Sequence, residues 1–334
     1  MLRLTTLSLC VLLTGGLLAR AADPPALTPR GGEPNLPTLP TRTKPLIVGF
    51  SQMGAESAWR TAETESIRGE ATRRGITLKF SDAQGQQENQ IKAVGAFIAQ
   101  KVDAIIIAPK VETGWEPILR EAKRAHIPVI LVDRRVKVSD ETLYTTLIAS
   151  DFVEEGRMAA RWLADKLGGK GDVVELQGTP GASAANDRKK GFAEALAKFP
   201  GIKITKSQSG DFKRAGGKEV MEVFLKASEG KSIRAVYAHN DDMALGAIQA
   251  IEAAGLKPGT DIVVISIDGI RDAFDAIIAG KLNATIECNP LLGPAAFDAV
   301  EAVLAGKELP KWTKVPDRLF DSSNAQAELP NRKY

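Results

Sequence analysis

From Leu46 onward the sequence alternates between short apolar runs and amphipathic segments, and it does so in two rounds. In the first, LIVGF (46–50), ITLKFSDA (76–83), DAIIIAP (103–109), VILVD (129–133) and LYTTLIASD (143–151) read as strands. Helical patterns fall between them at 59–75, 87–101 and 115–125, the first ended by Gly75. The second round sets helices at 154–168, 182–200, 216–228 and 242–255 against strands at 172–178, 203–211, 233–240 and 261–268. DAFDAIIAG (272–280), NATIEC (283–288) and GPAAFDAVEAVLAG (293–306) complete the pattern. Such alternation predicts parallel, doubly wound α/β sheets. Two similar lobes are expected, with the first crossing near Ser150 and no residue-level repeat between them.

Three of these strands stop at polar groups. VILVDRR (129–135) ends on Asp133 and Arg134, AVYAHNDD (235–242) on Asn240 and Asp241, and VVISIDG (263–269) on Asp268. Open α/β sheets bind ligands at the carboxyl ends of their strands, so these ends are candidate walls of one pocket. A hydroxyl both donates and accepts, and a carboxylate beside a guanidinium can saturate it. Each end also has a plainer reading. Asp133-Arg134 could be a surface salt bridge. Asn240 or Asp241 could cap the following helix, and Asp268-Gly269 could be an ordinary turn. Two polar residues in succession allow one to cap while the other faces the cleft; the expectation is that Asn240 faces the ligand and Asp241 caps.

Other candidates lie between these ends. Arg188 sits in the first turns of a helix, where the dipole disfavours a cation, although Lys189 and Lys190 beside it also fit a solvated basic face. Trp59 and Arg60 open the first helix, and Phe212 follows a strand end. Aromatic faces suit the C–H face of a sugar and equally suit a core. Trp115 is expected to cover the core.

The 334 residues are 25% charged with a formal charge of +3, both signs interspersed, which excludes the basic stripe of a nucleic-acid binder. The two histidines, His126 and His239, are isolated, and no cysteine cluster exists to hold a metal. No nucleophile elbow, P-loop or dinucleotide fingerprint is present, so neither enzyme chemistry nor a cofactor is expected. Arg3, the apolar run from Leu7 to Leu18 and Ala19-Arg20-Ala21 read as an export signal over 1–21, cleaved near Ala21-Ala22. Cys10 would leave with it, and Cys288 would remain as a lone thiol. Residues 22–45, with prolines at 24, 25, 29, 34, 37, 40 and 45, read as an extended tether.

VDRR, NDRKKGF, AHNDDMALGAIQAIEAAG, ISIDG and NATIECNP occur in the order found in type I periplasmic sugar-binding proteins of ABC transporters, the ribose- and galactose-binding group, which the chain resembles from about Leu46 to Phe320. FSQMGAESAWRTAE, QQENQIKAV, APKVETGWEP and VELQGTPGASAANDRKKGFAEAL are most similar to the galactofuranose-binding members. The resemblance implies two Rossmann-like lobes joined by a three-segment hinge: 46–149 with 269–286, and 150–268 with 287–325. It implies Trp59, Arg60, Asp133, Arg134, Arg188, Phe212, Asn240 and Asp268 as ligand contacts. Arg60 replaces a second aromatic of ribose binders, and Cys288 stands where they carry glutamine. The implied function is an exported, monomeric binding protein that delivers a monosaccharide, galactofuranose by subgroup, to a membrane permease with its ATPase. The alternative is a sensory protein presenting sugar to a chemoreceptor or sensor kinase. A repressor effector domain would need an N-terminal helix-turn-helix in place of the leader and tether.

Overall fold

The computed structural model describes residues 44–227 and 233–334; the leader and all but the last two residues of the tether lie outside them. The first round folds as β1 (Ile47–Gln52), α1 (Ala58–Arg73), β2 (Thr77–Asp82), α2 (Gln87–Ala99), β3 (Ala104–Ile107), α3 (Glu116–Arg124), β4 (Val129–Val132) and β5 (Thr146–Ser150). The second comprises α4 (Phe152–Lys166), β6 (Lys170–Gln177), α5 (Ser183–Leu196), β7 (Gly201–Ser209), α6 (Arg214–Ala227), β8 (Ile233–Ala238), α7 (Asp241–Ala253), β9 (Val263–Asp268), α8 (Arg271–Ile278) and β10 (Ala284–Glu287). The chain ends with α9 (Gly293–Leu304), β11 (Trp312–Val315), β12 (Leu319–Asp321) and α10 (Ala325–Glu328).

Two sheets result, ordered β11-β5-β4-β3-β1-β2 and β12-β10-β9-β8-β6-β7. Every pairing is parallel except β10 with β12, which is antiparallel. The central strands of the first sheet are covered on both faces, so β3 (AIII) and β4 (VILV) are apolar throughout and fully buried. Alternate side chains feed separate cores: Ile106 packs with Val48, Phe50 and Ile67, while Ile105 and Ile107 pack with Phe97, Leu119 and Trp115. Trp115 is fully buried, as expected, its indole donating to the Val111 carbonyl at 2.8 Å. Among the described residues, no helix is long and apolar enough to cross a membrane.

The chain passes between the sheets three times, around 150–152, 288–292 and 316–318. This corrects the expected partition at the C-terminal end. Residues 269–286 were expected in the first lobe, yet β10 pairs along β9 in the second sheet, Ala284 against Ile265. Residues 287–325 were expected in the second, yet α9 packs on α1 and β11 extends the first sheet beside β5. The close approach of α9 uses Gly293, where a Cβ would lie 2.2 Å from the Ser66 carbonyl oxygen. Strand pairing, which periodicity does not encode, decides the lobe.

Candidate functional site

A narrow cavity lies between the two lobes where the strand ends face each other. All eight expected contacts line it, together with Glu56, Ser57, Ala184 and Cys288. From the first lobe come the start of α1, capped by the Ser57 hydroxyl, and the end of β4. From the second come Arg188 of α5, Phe212 after β7, Asn240 at the head of α7 and Asp268 at the end of β9.

The backbone is contorted where it delivers these side chains. Asp133, Phe212 and Asp268 have φ of 62°, 60° and 135°, values that non-glycine residues rarely adopt. The Phe212 ring lies against Gly178, where a Cβ would come within 1.9 Å of Cζ, so no larger residue leaves room for it. Its face is presented to two cations, Arg134 at 5.1 Å and Arg188 at 5.9 Å from the ring centroid.

The guanidinium groups are held by acids. Arg60 donates to Asp133 and Glu63, each at 2.6 Å, and to Glu56 at 3.3 Å. Arg188 donates to Glu155 at 2.7 Å and to the His239 carbonyl at 2.8 Å, with Asp268 3.8 Å away. Burial works against the charge of Arg60 and Arg188, but these acids outweigh it and hold both well above the usual arginine range. Arg134 has Asp133 at 3.4 Å and Glu56 at 3.6 Å, but burial and the neighbouring Arg60 outweigh them and pull it down. Burial pushes the Asp268 and Glu155 carboxyls up. Arg134 Nε, Glu56 Oε2 and Glu155 Oε1 are buried and have no hydrogen-bond partner within the protein.

This arrangement offers fixed donors, fixed acceptors and aromatic faces to an uncharged polyhydroxyl molecule. A model of the periplasmic binding protein domain matches residues 48–308. The chain belongs to the periplasmic binding protein family. Members of this family bind substrates and are not enzymes. The galactofuranose-binding protein YtfQ of Escherichia coli K12 is 55% identical over 292 residues, 86% of this chain and 92% of that protein. The periplasmic binding protein of the arabinose ABC transporter of Shewanella sp. ANA-3, solved with α- and β-L-arabinofuranose, is 57% identical with a TM-score of 0.84; the match covers 86% of this chain and 95% of that one. A Mycobacterium smegmatis structure in complex with β-D-fucofuranose is 52% identical, with the same TM-score of 0.84 and the same coverage of 86% and 95%.

Within this periplasmic binding protein, Asn240 lines the cavity as expected, but it and not Asp241 caps α7. Asn240 caps α7, its side chain accepting from Met243 N at 3.0 Å and donating to the Phe212 carbonyl at 3.1 Å. Asp241 accepts from the Gly269 and Ile270 amides at 2.7 and 2.9 Å, and from the Thr285 hydroxyl at 2.7 Å. It therefore fixes the turn that presents Asp268, while burial raises its own pKa to about 6. His239 is fully buried, hydrogen-bonded to Glu175 at 3.1 Å, and burial lowers its pKa.

Sequence reading missed the acids behind the arginines. Glu56 and Glu63 stand four before and three after Arg60, the spacing of helical neighbours. Glu155 heads the apolar stripe Ala159–Leu163 of α4, where an exposed face would carry it otherwise. Trp59 is anchored across the cleft, its indole donating to the Cys288 carbonyl at 2.5 Å. Among the described residues no acid, histidine or cysteine cluster could hold a metal.

Proposed function

We propose that this protein is the substrate-binding component of an ABC-type sugar importer, taking a furanose sugar, foremost galactofuranose, into the interlobe cavity and delivering it to a membrane permease with its ATPase. The observation that carries this reading is the paired lining: each lobe contributes guanidinium and carboxyl groups, and two of the buried atoms there, Glu56 Oε2 and Arg134 Nε, have no hydrogen-bond partner within the protein. A buried polar atom without a partner costs about 1–3 kcal/mol, which a ligand hydroxyl would relieve. A ligand that bridges both lobes stabilises the closed form, because only there does it touch each of them. The furanose assignment rests on relatives above 50% identity that are named for, or solved with, furanose sugars.

Charge narrows the ligand further. Arg60, Arg134 and Arg188 are matched by Glu56, Glu63, Asp133, Glu155 and Asp268, five carboxyls to three guanidiniums. Sugar phosphates and uronates are therefore disfavoured, and neutral sugars fit. The eight lining residues expected from sequence act as hydroxyl contacts and stacking faces in this reading. Export on the 1–21 leader, with cleavage near Ala21-Ala22, and action as a monomer in the periplasm complete it. A thermal-shift screen followed by calorimetry over pentoses, hexoses and their acidic derivatives tests it; D-galactose and L-arabinose should raise the melting temperature through their furanose forms. Binding of no neutral sugar, or preference for an acidic one, would overturn it.

A further inference from the structure

The first four amide N–H groups of a helix have no partner within it. In α1 the Ser57 hydroxyl accepts from Arg60 N at 3.1 Å, which satisfies one of them. The amide of Ala58, the first helical residue, is satisfied from the other lobe: it donates to Asp242 Oδ2 at 2.8 Å, across 184 residues of sequence. Asp242 is only 5% exposed and is the second residue of α7. Its other oxygen accepts from Arg214 Nε at 2.9 Å, and Arg214 also reaches Asp272 at 2.8 Å. One carboxylate thus lies between the first turns of two helices, α1 and α7, one from each lobe. Both ends favour an anion.

The residues that follow Ala58 are Trp59 and Arg60, which line the cavity. Asp242 does not line it. The bond joins groups from different lobes, so it forms only when the lobes meet. It then ties the Trp59-Arg60 turn to the second lobe beside Asn240. The same turn reaches the second lobe once more, through the Trp59 indole on the Cys288 carbonyl, whereas Arg135 with Asp187 and Asn186 with Glu112 lie on the more exposed rim and touch no cavity-lining turn of α1.

We propose that Asp242 is a positioning residue for the ligand: by accepting the Ala58 amide in the closed form alone, it fixes the Trp59-Arg60 turn across the cleft and lengthens the residence of the sugar. This rests on the sugar-binding reading. A contribution confined to the closed state slows dissociation and leaves the encounter rate nearly unchanged.

The test removes each partner of the bond separately. Asp242→Ala removes the acceptor and leaves Arg214 its contact with Asp272. Ala58→Pro removes the donor, because proline is tolerated at the first helical position and Ser57, at φ −145° and ψ 162°, already has the extended backbone a proline requires before it. Dissociation of D-galactose is followed by stopped-flow tryptophan fluorescence, with melting temperatures taken without sugar. Each single variant should dissociate roughly ten- to a hundredfold faster, the range of a charge-assisted hydrogen bond. In the Asp242→Ala background the proline should add nothing, and Ala58→Pro should melt like the wild type without sugar. Equal dissociation rates in all variants, or a proline effect of the same size in both backgrounds, would overturn the role of Asp242 alone. Failure of the wild type to bind D-galactose or L-arabinose would overturn the sugar reading and this role together.

Discussion

Asp133 and Arg134 show how one residue pair serves two needs. The carboxylate receives Arg60 at 2.6 Å, and the guanidinium stands over Phe212 with its Nε 3.4 Å from Asp133 and without a hydrogen bond. Asp133→Ala and Arg134→Ala should each weaken sugar binding by about 1–3 kcal/mol in calorimetry, the Asp133 variant more, because it also leaves Arg60 short of a counter-charge. If neither affinity moves, the pair is an internal salt bridge and no more. The candidates themselves were legible, since polar residues that end apolar strands are conspicuous. Their partners were not: whether Asn240 or Asp241 caps α7 depends on the Gly269 and Thr285 groups that β9 and β10 bring alongside, information that local sequence lacks. Cys288 was readable as a lone thiol, but its carbonyl, which anchors Trp59, is a backbone group with no sequence signal.

At the level of elements, α4 and α5 set the position of Arg188. They touch through two glycines: a Cβ on Gly156 would lie 2.3 Å from the Arg188 carbonyl oxygen, and one on Gly191 would lie 1.9 Å from that of Val153. Both are backbone encounters that no rotamer change relieves. Gly191→Ala should therefore push the helices apart and cost about 1–3 kcal/mol of stability by denaturant titration. It should also weaken sugar binding, because Arg188 lies one turn away and moves off Glu155 and Asp268. Wild-type affinity in a destabilised Gly191→Ala protein would show that α5 positions its arginine independently of this contact. The helices and buried strands were readable because burial imposes a period on them. The strands β11 and β12 were not. WTKV has exposed or half-exposed side chains throughout, Trp312 at 42%, and LFD is only three residues long. Neither carries a period, and both are fixed by pairing at sheet edges.

Across the whole molecule, two of the three crossings are joined through a half-buried acid. Asp317, in the third crossing, accepts from the hydroxyl of Ser150, in the first, at 2.6 Å. Burial, reinforced by the charge of Glu155, raises the Asp317 carboxyl to about 8, against the pull of Ser150 and Arg188. Asp268 is raised for the same first reason, burial, though Arg188 lies nearby. A carboxyl whose folded pKa exceeds its unfolded one binds more protons in the native state throughout the interval between the two. Its contribution is complete below the unfolded value near 4 and is lost as pH rises through the folded value. Buried His239 has the opposite sign, since its folded pKa is depressed; stability gained from it is complete above about 6.5. The interval from about pH 7 to 8, below the range where an unfolded thiol such as that of Cys288 ionises, therefore isolates the raised carboxyls, and the melting temperature should fall across it. Asp317→Asn keeps an acceptor for Ser150 and removes the titration, so its melting profile should be flatter over that interval than the wild type's. Parallel profiles would mean that Asp317 is already ionised in the folded protein at neutral pH, with solvent or motion at the crossings screening it. Because the Asp317–Ser150 bond joins two of the three segments that a hinge must bend, the same substitution should change the pH dependence of sugar affinity alongside that of stability.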